Sequence, residues 1–154
     1  MTKHVKPEPE GIRARLTDLR TSLLSLHKTL VESERAEYEH TVAKITSPNH
    51  FLHLLTTDPW FAWLSPLSQL IVSIDEALDS EEPLTQARVE TLVKESAALL
   101  VASETGEGFA QNYFEALQRD PDVVLAQGQI TKLPGWPGRA GASGAQGTGT
   151  QTPG

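Results

Sequence analysis

From Ile12 the apolar residues recur in alternating steps of four and three, as Ile12, Leu16, Leu19, Leu23, Leu26 and Leu30, with no glycine or proline between Gly11 and Pro48. Such steps return to one side of an α-helix, and their strict alternation is the narrow seam by which one helix packs on another. The pattern predicts a single helix of about 34 residues, near 50 Å long at about 1.5 Å per residue. A helix of that length in a chain of 154 residues leaves little choice but to fold the other elements against it. Past Leu30 the rhythm lands on Ser33, Glu37 and His40, whereas the apolar residues move to Val31, Tyr38, Val42 and Ile45. A straight helix drifts against a 3.5-residue repeat. The buried face is therefore expected to rotate rather than to enclose Glu37 and His40, whose burial would need partners.

Further helix starts are marked by a cap residue followed by proline: Ser47-Pro48, Asp58-Pro59, Ser65-Pro66 and Asp120-Pro121. The side-chain oxygen accepts from free N–H groups of the first turn, where proline's missing donor costs nothing. This predicts a helix over 48–56, a turn over 59–64, a helix over 66–80 and a last one over 121–133. Thr85 is placed to cap a helix running to Ala102, and a break at Gly106 and Gly108 precedes one over 107–119. No alternating run bounded by hairpin turns suggests a strand. The expected fold class is all-α, a bundle with one long N-terminal helix and four to five shorter ones.

Composition sets the boundaries. Residues 1–10, with Pro7 and Pro9, read as a flexible leader; residues 11–133 hold the apolar content and read as the bundle; residues 134–154 collapse to Gly, Ala, Ser, Thr, Gln and Pro and read as a disordered tail in which Trp136 and Arg139 offer a weak partner hook. The absence of cysteine excludes disulfides and thiolate sites and fits a reducing, cytoplasmic setting. The polar first ten residues do not read as a signal peptide, and no apolar run is long enough to span a membrane. With a net charge of −7 and only Lys3, Lys6, Arg13, Arg15 and Arg20 loosely gathered, the chain is not expected to bind nucleic acid.

The metal candidate is Glu37-x-x-His40 with Glu34 one turn earlier, since Glu-x-x-His on one helix face is half of the ligand set in di-iron carboxylate bundles. Only one copy occurs, and His27, His50, His53 or Asp75 would have to complete a site for iron, manganese or zinc. His50 and His53 share a short helix in which a histidine more often hydrogen-bonds to backbone than holds a cation. Trp60-Phe61-Ala62-Trp63 concentrates large aromatics; most of this mass reads as core, with Phe61 left to emerge as a contact for a partner or ligand. Asp75, Glu76, Asp79, Glu81 and Glu82 form an acidic helix end that opposes the helix dipole and reads first as a solvated face; the alternative is that it receives the basic start of the first helix, from the same or a second chain. No nucleophile elbow, phosphate loop or dinucleotide fingerprint occurs, which points away from an enzyme.

The segments Asp58-Pro-Trp-Phe-Ala-Trp-Leu-Ser-Pro-Leu through Leu70-Ile-Val-Ser-Ile-Asp-Glu-Ala-Leu78, and Gly106-Glu-Gly-Phe with Ala116-Leu-Gln-Arg-Asp-Pro-Asp-Val-Val-Leu125, resemble an uncharacterised small bacterial all-helical protein family. The resemblance covers about residues 47 to 130 and implies a bacterial helical protein without implying an activity, ligand or catalytic residue. The first reading is a non-enzymatic interaction or structural protein that forms a homo-oligomer or binds a protein partner through Leu16, Leu19, Leu23, Leu26 and Phe61, with no cofactor. The alternative is a metal- or ligand-binding bundle using Glu34, Glu37 and His40, with His27 or His53.

Overall fold

A computed structural model describes residues 7–138. They form an all-α bundle: α1 (Ile12–Thr41), α2 (Pro48–Thr57), a 3-10 helix (Pro59–Leu64), α3 (Ser65–Asp79), α4 (Gln86–Leu99), α5 (Phe109–Arg119) and α6 (Pro121–Thr131). No strand occurs among the described residues. The caps explain most of the starts. Ser47 Oγ accepts from the His50 N–H, Asp58 from Trp60, Thr85 from Arg88 and Asp120 from Asp122. Ser65 departs from this pattern. The chain reaches it already helical, with Leu64 at φ −78° and ψ −12°, and its hydroxyl accepts from the Gln69 side chain at 3.0 Å instead of capping.

Helix α1 is 30 residues long and ends a turn short of the expectation. The β-branched Thr41 and Val42 lose rotamer freedom in a helix. The Glu39 carboxylate also accepts the Ile45 N–H at 2.9 Å, which draws that donor out of a helical ladder. At its start Gly11 has φ +77°, a conformation in which a side chain would be strained.

Helix α1 packs most extensively on α6 and α3, followed by the 3-10 helix, α4 and α5, while α2 packs chiefly on the 3-10 helix. Ile12, Leu16, Leu19, Leu23, Leu26 and Leu30 are all at most 3% exposed. The expectation that Leu16, Leu19, Leu23 and Leu26 form an uncovered seam for a partner is therefore corrected: the chain's own helices enclose it. The 15-residue α3 and 11-residue α6 are about 22 and 16 Å long, and together with α4 they suffice to line a helix of about 45 Å. Beyond Leu30 the buried face rotates to Tyr38 and leaves His40 exposed, but it passes through Ser33 and the charged Glu34, and Val42, expected on it, is 54% exposed.

The ends also differ from the expected boundaries. Glu8, placed in the leader, accepts from Arg13 at 2.7 Å and from the Leu84 N–H at 2.9 Å, and the Arg13 hydrogen bond is the main cause holding its carboxyl below the ordinary range. Trp136, placed in the tail, is only 7% exposed and faces Ala97, Leu100, Ile130 and Thr131 across a cleft between α4 and α6. It is covered by its own chain and is no partner hook. Gly135, at φ +78°, lies against the Arg15 guanidinium, so a side chain there would be both strained and obstructed. Residues 1–6 of the expected leader, and 139–154 of the expected tail with Arg139, lie outside the described residues. The acidic end of α3 meets α1 of the same chain: Asp75 pairs with Arg20, and Arg13 donates to the Leu78 carbonyl at 2.9 Å.

Candidate functional site

Phe61 does not emerge. It is 2% exposed and packs against Tyr38 and Phe51, with ring centroids 5.7 and 5.8 Å away. Its expected role as a contact residue is corrected by its position: it is the inward side chain of the 3-10 helix, and three residues per turn send Leu64 inward with it. The outer side of that segment carries the indoles instead. Trp60 meets Tyr38 edge-on at 5.6 Å, and Trp63 meets Phe109 at 5.2 Å.

The two indoles form one wall of a cleft of about 400 Å³, lined also by Pro59, by Glu34 and Glu37 of α1, and by Asn112, Glu115 and Arg119 of α5. A volume of this size falls within the range of small-ligand sites. Positions 112, 115 and 119 stand on one face of α5, because steps of three and four share a face. Arg119 organises the floor. Its Nη2 donates to Glu34 Oε2 at 2.8 Å and to Ser33 Oγ at 3.0 Å, and its Nε lies 3.9 Å from Glu37 Oε1. Glu34 is 6% exposed and Arg119 28%, so this ion pair is largely withdrawn from water. Glu37 lies beyond hydrogen-bond reach of Arg119, and Glu115 makes no hydrogen bond or ion pair with the described residues. Three carboxylates thus face one guanidinium already engaged by one of them.

Below the cleft, the indole nitrogens of Trp60 and Trp63 and the Tyr113 hydroxyl are buried without a hydrogen-bond partner among the described residues. Burial alone pushes the Tyr113 phenol above its ordinary range, so it stays protonated. A larger cleft of about 450 Å³ lies between Pro7, Pro9 and residues 82–86. Its lining adds Leu84, Thr85 and Gln86 to three prolines and a single carboxylate, Glu82, and contains no aromatic or cationic side chain among the described residues.

The residues expected to bind metal are not assembled. Glu34 and Glu37 line the cleft, but His40 is exposed beyond it, and His53 is exposed on α2. His27 lies two turns before Glu34, with Nε2 2.8 Å from Ser68 Oγ, and burial lowers its pKa below the ordinary value. His50 Nδ1 takes the Thr46 N–H at 3.1 Å. No group of three or more His, Asp or Glu among the described residues is placed to hold a metal ion. The rotation of α1 separates Glu34 from His40, and Arg119 occupies the Glu34 oxygen a metal would need. Among the described residues, the His27–Ser68 pair has no carboxylate hydrogen-bonded to His27 to orient the base as in a catalytic triad. Sequence reasoning met Ser33 only as a polar step of the α1 rhythm and missed Asn112, Glu115 and Arg119, whose one local trace was their spacing on α5.

The described residues therefore define an all-α bundle with an acidic, indole-walled cleft between α1, the 3-10 helix and α5. No family model matches the chain, and no curated protein or solved structure matches it. No helix among the described residues is long and apolar enough to cross a membrane.

Proposed function

We propose that this chain is a non-enzymatic binding module that engages a protein partner through the α1/3-10/α5 cleft. The carrying observation is the convergence, around about 400 Å³, of two indoles, Asn112 and Arg119 with three carboxylates, of which Glu34 is hydrogen-bonded to Arg119, Glu37 stands 3.9 Å from it and Glu115 makes no hydrogen bond or ion pair with the described residues. Tryptophan and arginine are the side chains most enriched where binding energy concentrates. The leucine seam, being enclosed, does not serve this role. A bacterial, cytoplasmic setting belongs to the same proposal; its cytoplasmic part accords with a chain that contains no cysteine.

The test is site-directed photocrosslinking of the full chain in extract of its source cells. A photoreactive phenylalanine replaces Asn112 in the cleft, with Lys94 on the exposed side of α4 as the control position. Discrete adducts from position 112 that are absent from position 94 are expected. An adduct of twice the chain's mass supports the same cleft with a second copy as partner. Adducts no more frequent from position 112 than from position 94 overturn the proposal.

A further inference from the structure

We infer that the group this cleft takes is an organic cation, an alkylammonium or guanidinium such as a lysine or arginine side chain presents. The inference rests on the reading of the cleft as a contact site. Its lining carries Glu34, Glu37 and Glu115 against Arg119 alone, and Arg119 spends its closest contacts on Glu34 and Ser33. The surplus negative charge belongs to Glu37 and Glu115. An anionic ligand would be repelled, and a neutral apolar one would desolvate two carboxylates without compensation. An organic cation relieves both and gains attraction from the electron-rich indole faces, tryptophan being the strongest such partner.

Two further observations separate an organic cation from a metal ion and from generic acidity. No group of three or more His, Asp or Glu among the described residues is placed to hold a metal ion, which favours a ligand of larger, diffuse charge. The neighbouring aromatic surface already holds a guanidinium: the Arg35 Cζ sits 4.9 Å from the centre of the Phe51 ring. The chain's net charge of −7 also steers cations toward it over a Debye length.

The experiment titrates the full chain with N-acetyl-arginine methylamide, N-acetyl-lysine methylamide and tetramethylammonium. The neutral citrulline isostere is the control, and the readout is the indole NMR signals of Trp60 and Trp63. Saturable shifts with the cations, about tenfold weaker for citrulline and about tenfold weaker again in the folded E37Q/E115Q variant, are expected. Stronger binding of the side-chain analogues assigns the cation to a protein partner, and stronger tetramethylammonium binding assigns it to a free small molecule; either supports the inference. Equal binding of citrulline and arginine, an unaffected double variant, or no saturable shift through the millimolar range overturns it. Cation binding without cleft crosslinks removes the protein-partner reading alone. Crosslinks without cation binding remove this inference alone.

Discussion

Replacing Arg119 with methionine isolates the interaction that closes the cleft floor. The substitution keeps an unbranched apolar stem and removes the donors that Nε and Nη2 direct to Ser33 and Glu34. Glu34 is then left 6% exposed without its counter-charge. Breaking a buried pair from one side costs about 3–5 kcal/mol. Because Arg119 is 28% exposed and the cleft admits water, the low end applies, about 3 kcal/mol. For a domain of this size that lowers Tm by roughly 10 °C. The double variant R119M/E34L removes both charges and should return to within about 1 kcal/mol of the parent, since an apolar pair often replaces a buried ion pair without loss. The E34L single variant completes the cycle, and if it costs about 0 kcal/mol or more the coupling energy is about 2 kcal/mol or more. Urea unfolding followed by tryptophan emission measures all three, with Trp60 and Trp63 as reporters at the site. An R119M variant within about 0.5 kcal/mol of the parent, or a double variant no more stable than the single, would refute the reasoning.

Leu19→Ser with Leu23→Ser should unfold the chain instead of dissociating an assembly, because both side chains are at most 2% exposed and each costs about 2–5 kcal/mol to lose. Retained helicity by circular dichroism would contradict the enclosed seam. His27 is held neutral by burial, so the unfolded chain binds its proton more readily. Stability should fall as pH drops from about 6.5 toward the lower folded-state pKa, and H27Q should flatten that slope in denaturant titrations at stepped pH. Asp120→Ala, which removes the α6 cap, should cost about 1 kcal/mol, whereas Ser65→Ala should stay within about 0.5 kcal/mol; equal losses would mean that the two serve alike.

The elements were legible wherever the information is local. The caps at Ser47, Asp58, Thr85 and Asp120 each use an atom two or three residues from its partner, and the helix starts follow from them. Ser65 was misread because capping depends on how the chain arrives, and Leu64 delivers it already helical. The leucine periodicity marks a buried face without stating what buries it. The weakly patterned α6, with Val123 and Ile130 buried, gives no sign in sequence that it becomes a principal cover of α1. The candidate cleft was half legible. Glu34, Glu37 and the indoles were singled out, but the partner that decides the chemistry of Glu34 stands 85 residues away. Trp136 was hidden by its surroundings, since a lone indole among Gly and Pro registers as tail composition.

The packing of α1 against α6 has a consequence for the order in which the chain is made. The leucine stripe leaves the ribosome early, yet one of its two broadest covers begins only at Pro121. Until α6 is made, this apolar stripe waits without that cover. A nascent chain halted before that point would carry the stripe incompletely sheltered, exposed to chaperones and to other stalled copies. Completion of the bundle is thus tied to the arrival of a short, late helix, and damage there strikes at the pillar made first.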